Sequence, residues 1–381
     1  MDKKNNTYQQ LSELQRVCLK QNIPFASYRL PLDEEVVTLV QHHSLPERLN
    51  SLENINQNVG FIVAPFDNFS SEHGTYFLKP DCIFFSDQIE PIYIQKLSEN
   101  NRFLSIEKLK EKEIQTTTSS EYINNVNAAK TAMTKGEFNK VVLSKVRLEK
   151  LNDDFVAADF FLKLCDKYPH AFVYLIQLPE VGCWIGATPE PLLVIENELV
   201  KTVSLAGTQM ATDAEIDSYT WSNKEMEEQG IVTNFVEQTL KSLDIKKYSK
   251  IGPTNYRAAN LVHLKTAFEF AQSDLKNRLG DFLKALHPTP SVGGLPKTEA
   301  REFILANENH DRSYYTGFLG PINIENKSHV FVNLRCLQLF EKQFVLYSGA
   351  GITASSVAEK EWEETDNKMM TMMNVMKTPN P

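Results

Sequence analysis

The chain has 381 residues, 42% hydrophobic and 23% charged, a composition that excludes a disordered or fibrous protein and leaves room for two or three domains. Forty basic against forty-nine acidic residues give a net charge of −9, which argues against a broad nucleic-acid or anionic-membrane surface but permits a locally basic pocket. Five scattered cysteines with no CxxC spacing exclude a full disulfide framework and point to a reducing compartment. The polar opening MDKKNNTYQQ leads into no apolar segment, and no apolar run approaches the ~20 residues of a membrane span. The expectation is a cytoplasmic protein without a secretory signal.

In chain order, Leu11, Leu14, Val17 and Cys18 form one helical stripe, followed by short strands over 60–66 and 75–78. This first third reads as peripheral or irregular. The polar stretch 115–120 (QTTTSS) marks the one clear shift in composition and divides a part over 1–115 from a denser part over 116–381. Thr118, three residues before Glu121, has capping-box spacing and opens a helix to about 135. Strands follow over 140–148, 171–177, 191–195 and 199–205, with a helix over 154–167. Helices are predicted over 221–243, 272–286, 296–309 and 355–376, and strands over 314–324, 329–340 and 344–348. Consecutive strands joined by short turns, without βαβ alternation, predict an α+β fold with antiparallel pairing.

Two helices carry carboxylates where carboxylates do not usually sit. Glu225 and Glu228 are three apart, and Glu228 shares a face with Val232, Phe235 and Val236. On the last helix Glu361, Glu364 and Lys368 share a face that continues toward Met372 and Val375. Two such carboxylate pairs suit one hard divalent ion such as Mg²⁺, although an isolated ExxE is more often solvated or paired with a lysine or arginine one turn on. Arg335 lies within an apolar strand (VFVNLRCLQLF) and needs a carboxylate partner, from the protein or a ligand.

Lys140 begins an apolar strand, where desolvation would make it usable as a base, whereas a lysine at a strand edge more often reaches water. Glu190 follows a proline and precedes an apolar strand; burial there suits a general acid, and a simple turn carboxylate is the plainer reading. The stiff stretch from His287 (HPTPSVGG), LAGT ending at Thr208, and SGAGI around Gly349 expose backbone donors, yet glycine turns of this kind are common. His263, in NLVHLKT, reads as a core histidine, and the methionines at 369–376 as core filler.

Taken together and in order, these segments resemble the chorismate-utilising enzymes, a family of isochorismate synthases, salicylate synthases and the large subunits of anthranilate and aminodeoxychorismate synthases. The resemblance runs from about 121 to 376. It rests on KVVLS at Lys140, GATPE ending at Glu190, LAGT, SNKEMEEQ around Glu228, HPTPSVGG, DRSYYTGFLG around Tyr315, VNLRC at Arg335, GAGI at Gly349 and EWEETDNK ending at Lys368.

The resemblance implies two packed antiparallel sheets surrounded by helices, the anthranilate synthase component I-like fold, with 116–381 as the chorismate-binding catalytic domain and 1–115 a variable part packed on it. It implies Mg²⁺ held by Glu228 and Glu364 with Glu225 and Glu361 in support. Tyr315, Arg335 and the Gly349 backbone would hold the enolpyruvyl carboxylate, and Gly207, Thr208, His287, Gly351 and Lys368 would line the rest of the pocket. Branches of the family that use ammonia typically carry glutamine at the position of Lys140, and aminodeoxychorismate synthases a lysine at that of Ala206. The implied function is therefore an isochorismate synthase, an isomerase with Lys140 as base and Glu190 as acid. Salicylate synthase is the first alternative and a non-catalytic chorismate-binding subunit the second. A monomer acting without a glutaminase subunit is expected. The product would feed menaquinone or a siderophore, with menaquinone slightly favoured. Two departures stand out: Gln229 where many relatives have histidine, and Lys145 where arginine is common.

Overall fold

The run Phe172–Leu178 is apolar at consecutive positions because both faces of its strand are covered. Phe172, Tyr174 and Ile176 enter one core while Val173 and Leu175 enter another, the two-residue alternation of a pleated strand. The computed structural model describes residues 2–53, 55–67, 73–99, 114–210, 216–258 and 261–377, leaving aside the side chains at 2–6, 208, 210, 224, 258 and 261.

Among the described residues the strands form two nine-stranded sheets. The first runs Gly294–Leu295, Lys140–Lys150, Gln343–Ile352, Cys336–Leu339, Gly182–Thr188, Phe172–Leu178, Phe25–Arg29, Val36–Val40, Cys82–Phe85. The second runs Ser249–Ala258, Leu261–Ala271, Leu199–Met210, Pro191–Glu196, Ser328–Val332, Phe318–Ile322, Gly60–Ala64, Thr75–Leu78, Glu47–Leu49. Every neighbouring pair is antiparallel.

An aromatic core lies between the sheets. Tyr28, Phe172 and Trp184 meet Phe61, Tyr76 and Phe331 there, and the Phe172 and Phe331 rings stack at 4.3 Å. Helices Asp2–Lys20, Pro91–Glu99, Ala157–Lys167 and Ala358–Met376 pack on the outer face of the first sheet. Asn223–Ser242 and Leu279–Leu286 pack on the second. This is the α+β arrangement of two packed antiparallel sheets within helices. No helix among the described residues is long and apolar enough to cross a membrane.

Three expectations change. The first third is not peripheral: strands Phe25–Arg29, Val36–Val40 and Gly60–Ala64 are buried throughout and complete both sheets. The helix expected over 272–286 is broken, because Lys276 and Asn277 adopt positive φ (49° and 62°) between a short turn and Leu279–Leu286. The strand expected over 329–340 is two strands in different sheets. Ser328–Val332 belongs to the second, Cys336–Leu339 to the first, and Arg335 at φ 48° lies on the crossing. The chain is largely apolar on both sides of that crossing, so its hydrophobicity alone reads as one strand.

Candidate active site

A second crossing runs beside the first. The chain leaves the first sheet at Thr188 and enters the second at Pro191, with Glu190 between. The two crossings are tied together: Ala187 N donates to Arg335 O (3.0 Å), Val332 N to Glu190 O (3.0 Å), and the Thr188 hydroxyl to Val332 O (2.6 Å). Glu190 and Arg335 therefore emerge as neighbours in a cavity of about 310 Å³, at the small end of the range for ligand sites. Burial pushes the Glu190 carboxyl up to about 7, against the pull of Lys140, Arg335 and Lys368. Tyr315 lines the same cavity; burial drives its phenol well above the ordinary range, so it remains a hydrogen-bond donor.

Lys140 is buried at the start of its strand and reaches the cavity over Gly351. A Cβ at position 351 would lie 3.2 Å from Lys140 Cε, so the glycine leaves the slot that the lysine occupies. Lys140 Nζ stands 3.8 Å from Glu228 Oε2. A Cβ at Gly349 would approach the Tyr315 hydroxyl at 3.1 Å, which places that hydroxyl close over the Gly349 backbone. Lys368 Nζ donates to Gly349 O at 2.8 Å and pairs with Glu364 at 2.6 Å.

Helices Asn223–Ser242 and Ala358–Met376 bring Glu225, Glu228, Glu361 and Glu364 to this one cavity. Their oxygens do not form a closed cage of three. Lysines engage Glu228 and Glu364, and Glu225 closes a capping box by accepting from Ser222 N at 2.8 Å. The donor set nonetheless fits a hard divalent ion, since Mg²⁺ takes one or two carboxylates and keeps waters. Among the lining residues these four carboxylates and Glu190 outnumber the basic side chains Lys140, Arg335 and Lys368.

The cavity thus gathers Lys140, Glu190, Gly207, Glu225, Glu228, Tyr315, Arg335, Gly349, Gly351, Glu361, Glu364 and Lys368. Thr208 continues the same strand, but its side chain lies outside the described residues. His287 is a correction: it does not line the cavity. As the C-cap of Leu279–Leu286 it turns into the core, donates from Nε2 to Phe66 O and packs on Phe318, and burial lowers its pKa to about 3. Ser291 and Val292 of the same segment face the cavity instead, with the Ser291 hydroxyl bonded to Leu205 O.

His263, read from its apolar context as a core residue, does line the cavity. Its Nδ1 donates to Gly207 O (2.9 Å), where Gly207 at φ 67° makes an irregularity in the pairing of Leu199–Met210 with Leu261–Ala271. Burial lowers its pKa to about 4, so the ring is neutral near pH 7. The signal was the apolar strand itself, whose alternation points His263 and Lys265 opposite to Val262 and Leu264. The two departures are both accommodated. Gln229 Nε2 donates to Ser204 O, Ser204 Oγ and Thr266 Oγ1. Lys145 pairs with Asp366 at 2.7 Å and sits over the Trp362 ring.

The chain is similar in sequence and in fold to known proteins. The chain is 30% identical over 246 residues to the isochorismate synthase EntC of Escherichia coli (strain K12), a match covering 63% of this chain and 62% of that protein. It is 29% identical over 242 residues to the vibriobactin-specific isochorismate synthase of Vibrio cholerae, covering 62% and 61%. The fold superposes on MenF, the menaquinone-specific isochorismate synthase of Escherichia coli, with a TM-score of 0.76 at 20% identity, covering 96% of this chain and 91% of that one. The family model described as chorismate binding enzyme matches residues 3–377. The chain belongs to the chorismate binding enzyme family.

Proposed function

We propose that this protein is an isochorismate synthase, adding water at C2 of the chorismate ring and expelling the hydroxyl at C4 as the ring double bonds shift. The observation that carries the reading is the pairing of two proton carriers in one cavity: Lys140, and Glu190 with its carboxyl near 7. Lys140 takes a proton from the attacking water. Glu190, protonated, delivers one to the departing C4 oxygen, which leaves as water. A carboxyl at its ordinary value would be ionised at pH 7 and useless for that donation.

Chorismate is a dianion, and Arg335 and the Tyr315 hydroxyl, with the Gly349 backbone, suit its enolpyruvyl carboxylate. Gly207, Thr208, Gly351 and Lys368 border the ring. Mg²⁺ held by Glu228 and Glu364, with Glu225 and Glu361 in support, would supply the positive charge that the ring carboxylate needs in a cavity with more carboxylates than cations. The clamp on both carboxylates fixes the ring between base and acid. Relatives named for vibriobactin and for menaquinone both fall among the matches, so isochorismate for either route fits this reading.

The test is an incubation of pure protein with chorismate and Mg²⁺, without ammonia, followed by proton NMR, beside a sample with chelator. A Mg²⁺-dependent mixture of chorismate and isochorismate that stops changing is the expected result. Salicylate with pyruvate at enzymatic rate would reassign the chain to a salicylate synthase. Unchanged chorismate with folded protein would leave only a binding role.

A further inference from the structure

One group of side chains far from the cavity also brings metal-ligating atoms together. His42, His43 and Asp81 each offer an atom, and these lie within 4.8 Å of one another, the only such trio among the described residues. We propose that they form a binding site for a first-row transition ion of the zinc class, which staples the outer edge of the first sheet.

The geometry is set by the backbone. Val36–Val40 pairs with the edge strand Cys82–Phe85, and Asp81 N donates to Val40 O at 2.9 Å. That register puts Asp81 beside the residues leaving the neighbouring strand. His42 N and His43 N both donate to Asp81 Oδ2, at 2.5 and 2.9 Å, so main-chain donors pin the carboxylate. The imidazoles then converge on it from adjacent positions: His42 Nδ1 is 2.9 Å from Oδ2 and His43 Nδ1 3.0 Å from Oδ1, with the ring centroids 4.1 Å apart.

A divalent ion with bonds of ~2.1 Å holds neighbouring ligands about 3.0 Å apart at right angles and about 3.4 Å apart in a tetrahedron. The observed nitrogen–oxygen separations of 2.9 and 3.0 Å match the first and need only a small parting of the rings for the second. In binding an ion, each Nδ1 would exchange its contact with Asp81 for a bond to the metal through its lone pair, and Nε2 would carry the ring proton. Two imidazoles and one carboxylate favour Zn²⁺, Co²⁺ or Ni²⁺ over Mg²⁺, which prefers an all-oxygen set. The His43 side chain is 77% exposed and Asp81 23%, which leaves a solvent approach and room for waters on the ion. The site lies at the Cys82–Phe85 edge of the sheet, whereas Lys140 belongs to the second strand from the opposite edge.

Calorimetric titration of the full chain with Zn²⁺, in excess Mg²⁺ to occupy the carboxylate cavity, tests the proposal. Wild type, His43→Ala and Cys82→Ser are compared; the last controls for the half-buried thiol that accepts from the Tyr93 hydroxyl nearby. One Zn²⁺ should bind wild type and Cys82→Ser alike, with affinity at least about tenfold weaker in His43→Ala. Zn²⁺ should also raise the melting temperature of wild type and not of His43→Ala, while Mg²⁺-supported turnover of chorismate is equal in both. Absence of saturable Zn²⁺ binding by wild type would overturn the proposal. So would equal binding by His43→Ala, or loss of binding in Cys82→Ser.

Discussion

Glu190 shows how one residue's environment makes chemistry. Its ordinary carboxyl value of 4.5 rises to about 7 because burial costs the anion more than three nearby cations return. Glu190→Gln should lower turnover about 10²- to 10⁴-fold with unchanged circular dichroism, and wild-type kcat should fall as pH rises through about 7, where the acid loses its proton. The stability effect runs in the same direction. A raised value means that the native state holds a proton the unfolded chain has already released, so this group's contribution to stability falls as pH rises from about 4.5 to about 7. Glu190→Gln should therefore melt higher than wild type at pH 8, and the advantage should vanish at pH 4. Gly351→Ala makes a steric test: its Cβ would press on Lys140 Cε at 3.2 Å. Turnover should drop by about tenfold or more through displacement of the base, with little change in melting temperature; unchanged turnover would place the base elsewhere. The apolar strands beside Glu190 and Lys140 hinted at their burial, while the roles of acid and base came from the family resemblance. His263 was hidden, because an apolar strand context says that a histidine is buried but not that the buried face borders a cavity.

Helix starts illustrate the same limit at the level of elements. Thr118 and Glu121 form the capping box that their spacing predicts, each side chain bonded to the other residue's backbone N–H. Ser222 and Glu225 have the same spacing and form the same box, yet Glu225 also lines the cavity. Loss of either hydroxyl should cost about 1 kcal/mol in denaturant unfolding. Thr118→Ala should leave KM for chorismate unchanged, whereas Ser222→Ala should raise it, since Ser222 and the Glu225 that it orients both face the cavity. Equal KM values for the two variants would reduce Glu225 to a purely structural cap. The segment containing Arg335 has no such local signal. The chain stays largely apolar on both sides of the change of sheet, and a positive φ at an arginine is written in no propensity.

For the whole molecule, the decisive arrangement is a pair of chain crossings between two sheets, flanked by helices that deliver carboxylates from positions more than a hundred residues apart. With Glu190 protonated and Lys140 neutral as base, four carboxylates (Glu225, Glu228, Glu361 and Glu364) face Arg335 and Lys368, and such a cavity is poorly suited to a dianion by itself. Chelator should therefore abolish chorismate binding as measured by calorimetry, and Mg²⁺ should restore it and raise the melting temperature; a melting temperature indifferent to Mg²⁺ would contradict the carboxylate assignment. The sequence by itself determined the α+β class, most helices and strands after 116, the Thr118 cap, and an ordered series of motifs that identifies the family, because these depend on local periodicity, turn chemistry and residue order. Only the tertiary structure decided that the first third completes both sheets, that His287 turns to the core while Ser291 faces the cavity, and that Glu190 stands beside Arg335. Those outcomes depend on which strands cross between sheets and on backbone angles at the crossings, and hydrophobic pattern is the same whichever sheet a strand joins.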